Sequence, residues 1–189
     1  VLALIATLSS VAVAAQPKLS IDTAHDSKAE NATRAQLTRL LSTYDLDKWI
    51  FTKSILIDER AIPHSHPVLT LHTRHLRDDL HLLSTFVHEE IHWHLVSKGE
   101  QTQLAINELM KLYPSVPSGG REGAGGESTY LHLIVNYLEF QAMKQLVGLR
   151  SAKEVFDFWT TDHYMWIYKT VLADEATLSE VVIRHGLNI

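Results

Sequence analysis

The sequence contains no cysteine, which excludes disulfide bonds, thiolate metal sites, iron–sulfur clusters and cysteine nucleophiles. Its 17 basic and 22 acidic residues form no basic tract, so the charge pattern typical of a nucleic-acid-binding protein is missing. Beyond residue 15, no apolar run approaches the roughly 20 residues that a membrane-spanning helix needs. Histidine, in contrast, is abundant, with 12 in 189 residues. In a chain without cysteine, this abundance points to imidazole chemistry.

The first 15 residues, VLALIATLSSVAVAA, carry no charge and end in small side chains. This pattern is typical of the apolar and cleavage regions of a secretory signal peptide. We therefore expect a signal peptide over residues 1–15, a linker over 16–28 and a single domain over 29–189. The expected location is secreted or periplasmic, with no stable membrane insertion after cleavage of the signal.

The order of the remaining patterns predicts an α+β fold that is mostly helical. Aliphatic and β-branched runs at 49–58 and 68–73 predict two strands. Helical spacing of apolar residues predicts helices over about 29–44, 79–98, 101–113, 128–147, 152–159, 163–172 and 175–185. We expect a small sheet of two or three strands, packed against the helix over 79–98.

That helix contains the motif His-Glu-x-x-His, formed by His88, Glu89 and His92. Two histidines four residues apart project from one face of a helix and can both reach one metal ion. Glu89 lies about 100° around the helix, where a carboxylate can take a proton from a water molecule on the metal. Three protein ligands and one water form a catalytic zinc site, so the motif predicts zinc as the cofactor.

A third ligand is expected from the helix that follows the glycine-rich segment 114–126. His132 and Glu139 both lie on one side of this helix. They are seven residues apart, about 10 Å along the helix axis, so both cannot easily bind one zinc ion. One of them is expected to be the ligand, and the other to support a ligand or line the substrate cleft.

The motif at His88 to His92, followed by a separate helix with the sequence Glu139-Phe140-Gln141-Ala142, resembles the gluzincin type of zinc metallopeptidase. The resemblance extends over about residues 68–147. It implies a minimal zincin-like domain with zinc bound by His88, His92 and Glu139, and with Glu89 as the general base. His132 stays the alternative third ligand or a supporting residue. Met143 departs from the resemblance, because several such families have an acidic or amide residue there.

Zinc peptidases also need a donor for the oxyanion of the tetrahedral intermediate, usually a Tyr or His from a later segment. His163, Tyr164 and Tyr168 are the candidates. The resulting expectation is an exported zinc hydrolase that cleaves peptide or protein substrates. The alternative is an exported zinc-binding interaction module without catalysis, which would use the same ligands but need no role for Glu89.

Overall fold

The computed structural model describes residues 19–189. The expected signal peptide, residues 1–15, lies outside the described residues, as does the beginning of the expected linker. The described chain is α+β and mostly helical, as predicted. Its strands are β1 (Ser20–Thr23), β2 (Ser54–Ile57) and β3 (Leu69–Leu71). Its helices are α1 (Lys28–Thr43), α2 (Asp79–Ser97), α3 (Gly99–Leu112), α4 (Glu127–Trp159), α5 (Met165–Ala173) and α6 (Glu175–Arg184).

The three strands form one parallel sheet in the order β1-β2-β3. Strand β1 lies where the sequence predicted a linker. Its backbone joins β2 through bonds such as Ser20 N to Lys53 O at 3.0 Å and Ala24 N to Ile57 O at 2.9 Å. A four-residue strand with only half-buried side chains carries too weak an alternation to be predicted from sequence.

The helix boundaries agree closely with those predicted from the spacing of apolar residues. Helices α2 and α4 are buried on most sides, because they lie in the centre of the domain. The range α4 contains both of the helices predicted over 128–147 and 152–159, with Gly148 between them. Gly148 has a φ of 82° and breaks the helical geometry, so the segment is two helices joined at this glycine. Asp78 begins α2 by accepting a hydrogen bond from His81 N, as its position before the helix predicts.

Helices α2 and α4 pack against each other in the centre of the domain, and β3 packs on α2. Val87, Ile91 and Leu95 follow one another at four-residue spacing along α2, beside the His pair, and all three are buried. None of the helices in residues 19–189 has the length and apolar character needed to cross a membrane. The histidines and glutamates that the sequence singled out, His88, Glu89, His92, His132 and Glu139, all lie on these two central helices, α2 and α4.

The start of α1 contains a buried carboxylate, Glu30, that connects α1 by hydrogen bonds to the turn before it and to the segment after β2. Its oxygens accept hydrogen bonds from His25 N at 2.8 Å, Ser27 N at 3.2 Å and Glu59 N at 3.1 Å. His25 Nδ1 lies 2.9 Å from the same carboxylate, and Asp58 lies close by. Burial raises the pKa of Glu30, but the hydrogen bonds from His25, Glu59 and Ser27 outweigh burial and lower it to about 2. These bonds give the cluster a structural role.

We expect Glu30 to stabilise the fold in a pH-dependent way. Its pKa is depressed in the folded chain, so its contribution is complete above its ordinary pKa of 4.5. The contribution is lost as the pH falls from there toward about 2. Urea unfolding between pH 2 and pH 7 should show that, in Glu30→Gln, the free energy of unfolding falls less steeply as the pH decreases below 4.5. The same substitution at exposed Glu180 should leave this pH dependence unchanged. An unchanged pH dependence in Glu30→Gln would contradict the role assigned to Glu30.

Candidate metal centre

Three imidazoles meet at the interface between α2 and α4. His88 and His92 come from α2, and His132 comes from α4. One ring nitrogen of each lies within 4.8 Å of the corresponding nitrogens of the other two. The ring centroids stand 5.1 Å apart for His88 and His92, 5.6 Å for His88 and His132, and 5.1 Å for His92 and His132. Such a triangle of nitrogen donors is the first requirement of a His₃ metal site.

Hydrogen bonds orient two of these rings. His88 Nδ1 lies 3.0 Å from Glu139 Oε2, and His132 Nδ1 lies 2.7 Å from the carbonyl oxygen of Ser128. A carbonyl oxygen can only accept, so Nδ1 of His132 carries the proton and donates. Burial raises the pKa of Glu139 to about 8, although hydrogen bonds from Ser84 and Tyr168 oppose the effect. Because both of these hydroxyls donate to Glu139, we take its oxygens as acceptors and assign the same tautomer to His88. In both rings the lone pair is then on Nε2, which is the arrangement that second-shell partners impose on metal-binding histidines. His92 forms no hydrogen bond with any residue of 19–189.

Burial keeps all three rings uncharged at neutral pH. It lowers the pKa of His88 to about 4. It also lowers the pKa of His92 to about 2 and that of His132 to about 3, with added repulsion from neighbouring imidazoles in both cases. A protonated imidazole cannot bind a metal ion, so the protein environment favours the form that a ligand requires.

Of the two candidates for a third ligand, the structure brings His132 to the pair and places Glu139 behind His88. Glu139 is fully buried and receives hydrogen bonds from Ser84 Oγ and, at 3.4 Å, from the Tyr168 hydroxyl. The geometry thus groups His132 with the His pair, and the identity of the third ligand stays a prediction. Two turns of helix separate the two residues, and the offset between α2 and α4 decides which of them faces the pair.

Glu89 lies beside the triad, lines the same cavity and is 7% exposed. Burial raises its pKa to about 8, and the nearby carboxylate of Glu139 adds to the effect. The next residue, Glu90, serves a different purpose on another face of α2. It accepts hydrogen bonds from Phe51 N at 2.7 Å, Thr52 N at 3.0 Å and Thr52 Oγ1 at 2.7 Å. Glu90 therefore anchors the chain before β2.

The triad and Glu89 open into a cavity of about 670 Å³. This volume is within the usual range of small-molecule and peptide sites. One wall is the segment 60–64, which joins β2 to β3, and the opposite wall includes the turn before α5. The segment 60–64 contains no motif that predicts a functional site, so its place in the cavity lining is known only from the structure.

The turn before α5 carries two of the expected oxyanion donors, His163 and Tyr164, and both line the cavity. His163 Nδ1 lies 2.8 Å from Asp162 Oδ2, and Asp162 also forms a bidentate ion pair with Arg74. Tyr164 packs against the His132 ring, with centroids 4.6 Å apart. The third expected donor, Tyr168, is fully buried and already donates to Glu139.

Tyr164 adopts a left-handed backbone conformation with φ 49°, which is uncommon for a residue other than glycine. The glycine-rich loop between α3 and α4 holds this turn. Arg121 donates hydrogen bonds to the carbonyl oxygens of Asp162 at 3.1 Å and Thr161 at 2.6 Å. Met165 N in turn donates to Arg121 O at 2.9 Å. Strain of this kind persists where the surroundings fix a residue, as they do at many functional sites.

Comparison of the chain with protein-family models, with curated proteins and with solved structures finds no match.

Proposed function

We propose that this protein is an exported zinc-dependent hydrolase that cleaves peptide bonds, with His88, His92 and His132 as zinc ligands and Glu89 as the general base. The observation that carries the proposal is the convergence of three neutral imidazoles beside a buried carboxylate at one end of a large cavity. Export rests on the N-terminal apolar segment. The choice of a peptide bond rests on the motif from His88 to His92, which resembles that of gluzincins, although the third ligand proposed here is His132 in place of Glu139.

The donor set fits zinc. Three histidines form an established catalytic ligand set for zinc, which leaves the fourth position free for water or substrate. Nitrogens bound to one zinc ion stand about 3.4 Å apart, so small side-chain adjustments suffice to close a triad whose nitrogens lie within 4.8 Å. His92, the ring without a hydrogen bond to a described residue, gains its missing partner in this way. A bound zinc ion would supply Lewis acidity toward water and toward the substrate carbonyl.

Glu89 would accept a proton from the attacking water and pass it to the leaving amine. Burial raises the pKa of Glu89 to about 8, and the positive charge of a bound zinc ion would favour the ionised form that can accept a proton. Glu139 would hold the His88 ring in its orientation through the Nδ1 hydrogen bond. Its own position is fixed by Ser84, whose Oγ also accepts a hydrogen bond from Trp159 Nε1 at 3.0 Å.

Tyr164 is the better oxyanion donor of the two residues in the turn before α5. Burial and the nearby Glu89 raise its pKa, so its hydroxyl keeps its proton at neutral pH and can donate. Burial lowers the pKa of His163, although Asp162 opposes the effect. A neutral His163 uses its one N–H toward Asp162, which leaves Nε2 as an acceptor. We therefore propose that Nε2 of His163 takes up a proton during the reaction or accepts a hydrogen bond from an N–H group of the substrate.

Elemental analysis of the full chain, followed by peptide-library digestion with mass spectrometry, tests the function. We expect one zinc per chain and cleavage that both a zinc chelator and a hydroxamate inhibit. Stoichiometric zinc without cleavage of any peptide would favour the non-catalytic zinc-binding module instead. A chain that binds no zinc when zinc is supplied in excess would contradict both.

A further inference from the structure

The cavity extends well beyond the triad. Along α2 it is lined from Leu82 through Thr85 to His92. These positions are ten residues apart, about 15 Å along the helix axis. The triad and Glu89 occupy one end of this length. The other end, which we call the inner end, is formed by Leu82, Trp159 and His75.

The inner end combines the apolar and aromatic side chains of Leu82, Trp159 and His75 with the neighbouring ion pair of Arg74 and Asp162. Leu82 and Trp159 are only 1% and 2% exposed, so they close this end of the cavity, and His75 is the most exposed of the three. The His75 ring stands edge-on to the Trp159 ring, with centroids 5.3 Å apart. Aromatic rings favour such edge-to-face arrangements, and a further ring can join them at low cost.

Most polar atoms at the inner end already have partners inside the protein. Ser84 Oγ donates to Glu139 and accepts from Trp159. Thr85 Oγ1 donates to the carbonyl oxygen of His81 at 2.9 Å. A polar group placed there would lose its hydration and find few partners, which is costly.

Charge at the inner end is balanced as well. Arg74 is held in its bidentate pair with Asp162, so neither brings a net charge to a ligand. Burial, with repulsion from His81 and Arg74, lowers the pKa of His75 to about 4, and this ring is neutral at neutral pH. Within residues 19–189, the ring of His75 forms no hydrogen bond. A neutral imidazole face packs well against another flat ring.

From this lining we infer that the inner end of the cavity binds an aromatic side chain of the substrate, close to the scissile bond. The inference rests on the proposed function, because it takes the triad and Glu89 as the reacting end. A benzyl-sized group suits the lining better than a charged or amide side chain. Ile62, an 82% exposed residue of the segment 60–64, adds apolar surface to the lining of the same cavity.

The affinities of two small hydroxamates test this inference without a measurement of catalysis. Both 3-phenylpropionohydroxamate and propionohydroxamate can anchor on the metal, and they differ only by the phenyl ring. Calorimetric titration of the zinc-loaded full chain should show that the phenyl compound binds at least about tenfold more tightly, because the ring leaves water for an apolar site. Nuclear Overhauser contacts between the phenyl protons and the Trp159 indole should accompany binding.

The matched variants are His75→Asp, which places a carboxylate at the inner end, and His66→Asp, which changes a histidine outside the cavity lining. We expect the affinity ratio of the two hydroxamates to fall to about threefold or less in His75→Asp and to stay unchanged in His66→Asp. If His75→Asp does not fold, the Overhauser contacts in the unaltered chain decide.

Equal affinities, or phenyl contacts elsewhere than Trp159, would overturn the aromatic subsite and leave the zinc site intact. If neither hydroxamate binds and the chain holds no zinc, the proposed function fails together with the subsite.

Discussion

Replacing His132 with alanine is expected to weaken zinc binding by at least about 100-fold and to leave the purified protein without stoichiometric metal. The reason is geometric, since His132 is the third nitrogen within 4.8 Å of the other two. Loss of one of three ligands removes roughly a third of a binding free energy that exceeds about 10 kcal/mol in structural zinc sites. Competition with a fluorescent zinc chelator, at fixed pH, measures the change.

Glu139→Gln is the matched control, because it changes the other candidate for the third ligand without changing its size. Glutamine keeps an oxygen that can accept the His88 Nδ1–H hydrogen bond at 3.0 Å. We expect stoichiometric zinc in this variant, with affinity reduced by about 10-fold to 100-fold, as is usual when the partner of a ligand changes. The reverse result, with zinc lost from Glu139→Gln and retained in His132→Ala, would return the third position to Glu139.

Glu89→Gln is expected to lower kcat by a factor of about 100 to 10,000 while the protein keeps one zinc per chain. Glutamine fills the same space and leaves the three imidazoles untouched, but its amide cannot accept a proton from water. The measurement is the cleavage rate of a peptide found in the library digestion, with metal content determined on the same sample. Cleavage at the unaltered rate would rule out Glu89 as the general base.

Glu90→Gln provides the comparison for this result, because it makes the same chemical change one residue further along the same buried helix. Glu90 accepts three hydrogen bonds from Phe51 and Thr52, and an amide group cannot accept all of them equally well. We expect a loss of about 1 to 3 kcal/mol in the free energy of unfolding with little change in kcat. Similar losses of kcat in both variants would indicate a general disturbance of α2.

The difference between Glu89 and Glu90 shows what a motif can predict about a side chain and what it cannot. The spacing of His88, Glu89 and His92 identifies which carboxylate lies beside the helix face that carries both histidines. It gives no information on Glu90, whose partners at Phe51 and Thr52 are almost 40 residues earlier in the chain. Such long-range pairs leave no periodic signal in the sequence.

Two features of the site could not be predicted from the sequence. Ser84 and Trp159, which form hydrogen bonds that fix Glu139, lie on two different helices and belong to no motif, whereas Glu139 itself was a candidate. The pair of Arg74 and Asp162 spans 88 positions. A signal did exist for Asp162, because it directly precedes His163, and an acidic residue beside a histidine is a common partner for its ring.

By itself, the sequence determined the helical α+β architecture, the helix that carries His88, Glu89 and His92, and the short list of residues that could complete a site. These properties follow from local periodicity and spacing, which act within one element. The tertiary structure decided which member of that list meets the pair. His132 and Glu139 share one side of α4, and only the offset between α4 and α2 puts the first at the triad and the second behind His88. That offset is set by side-chain packing across the whole core, to which many distant residues contribute.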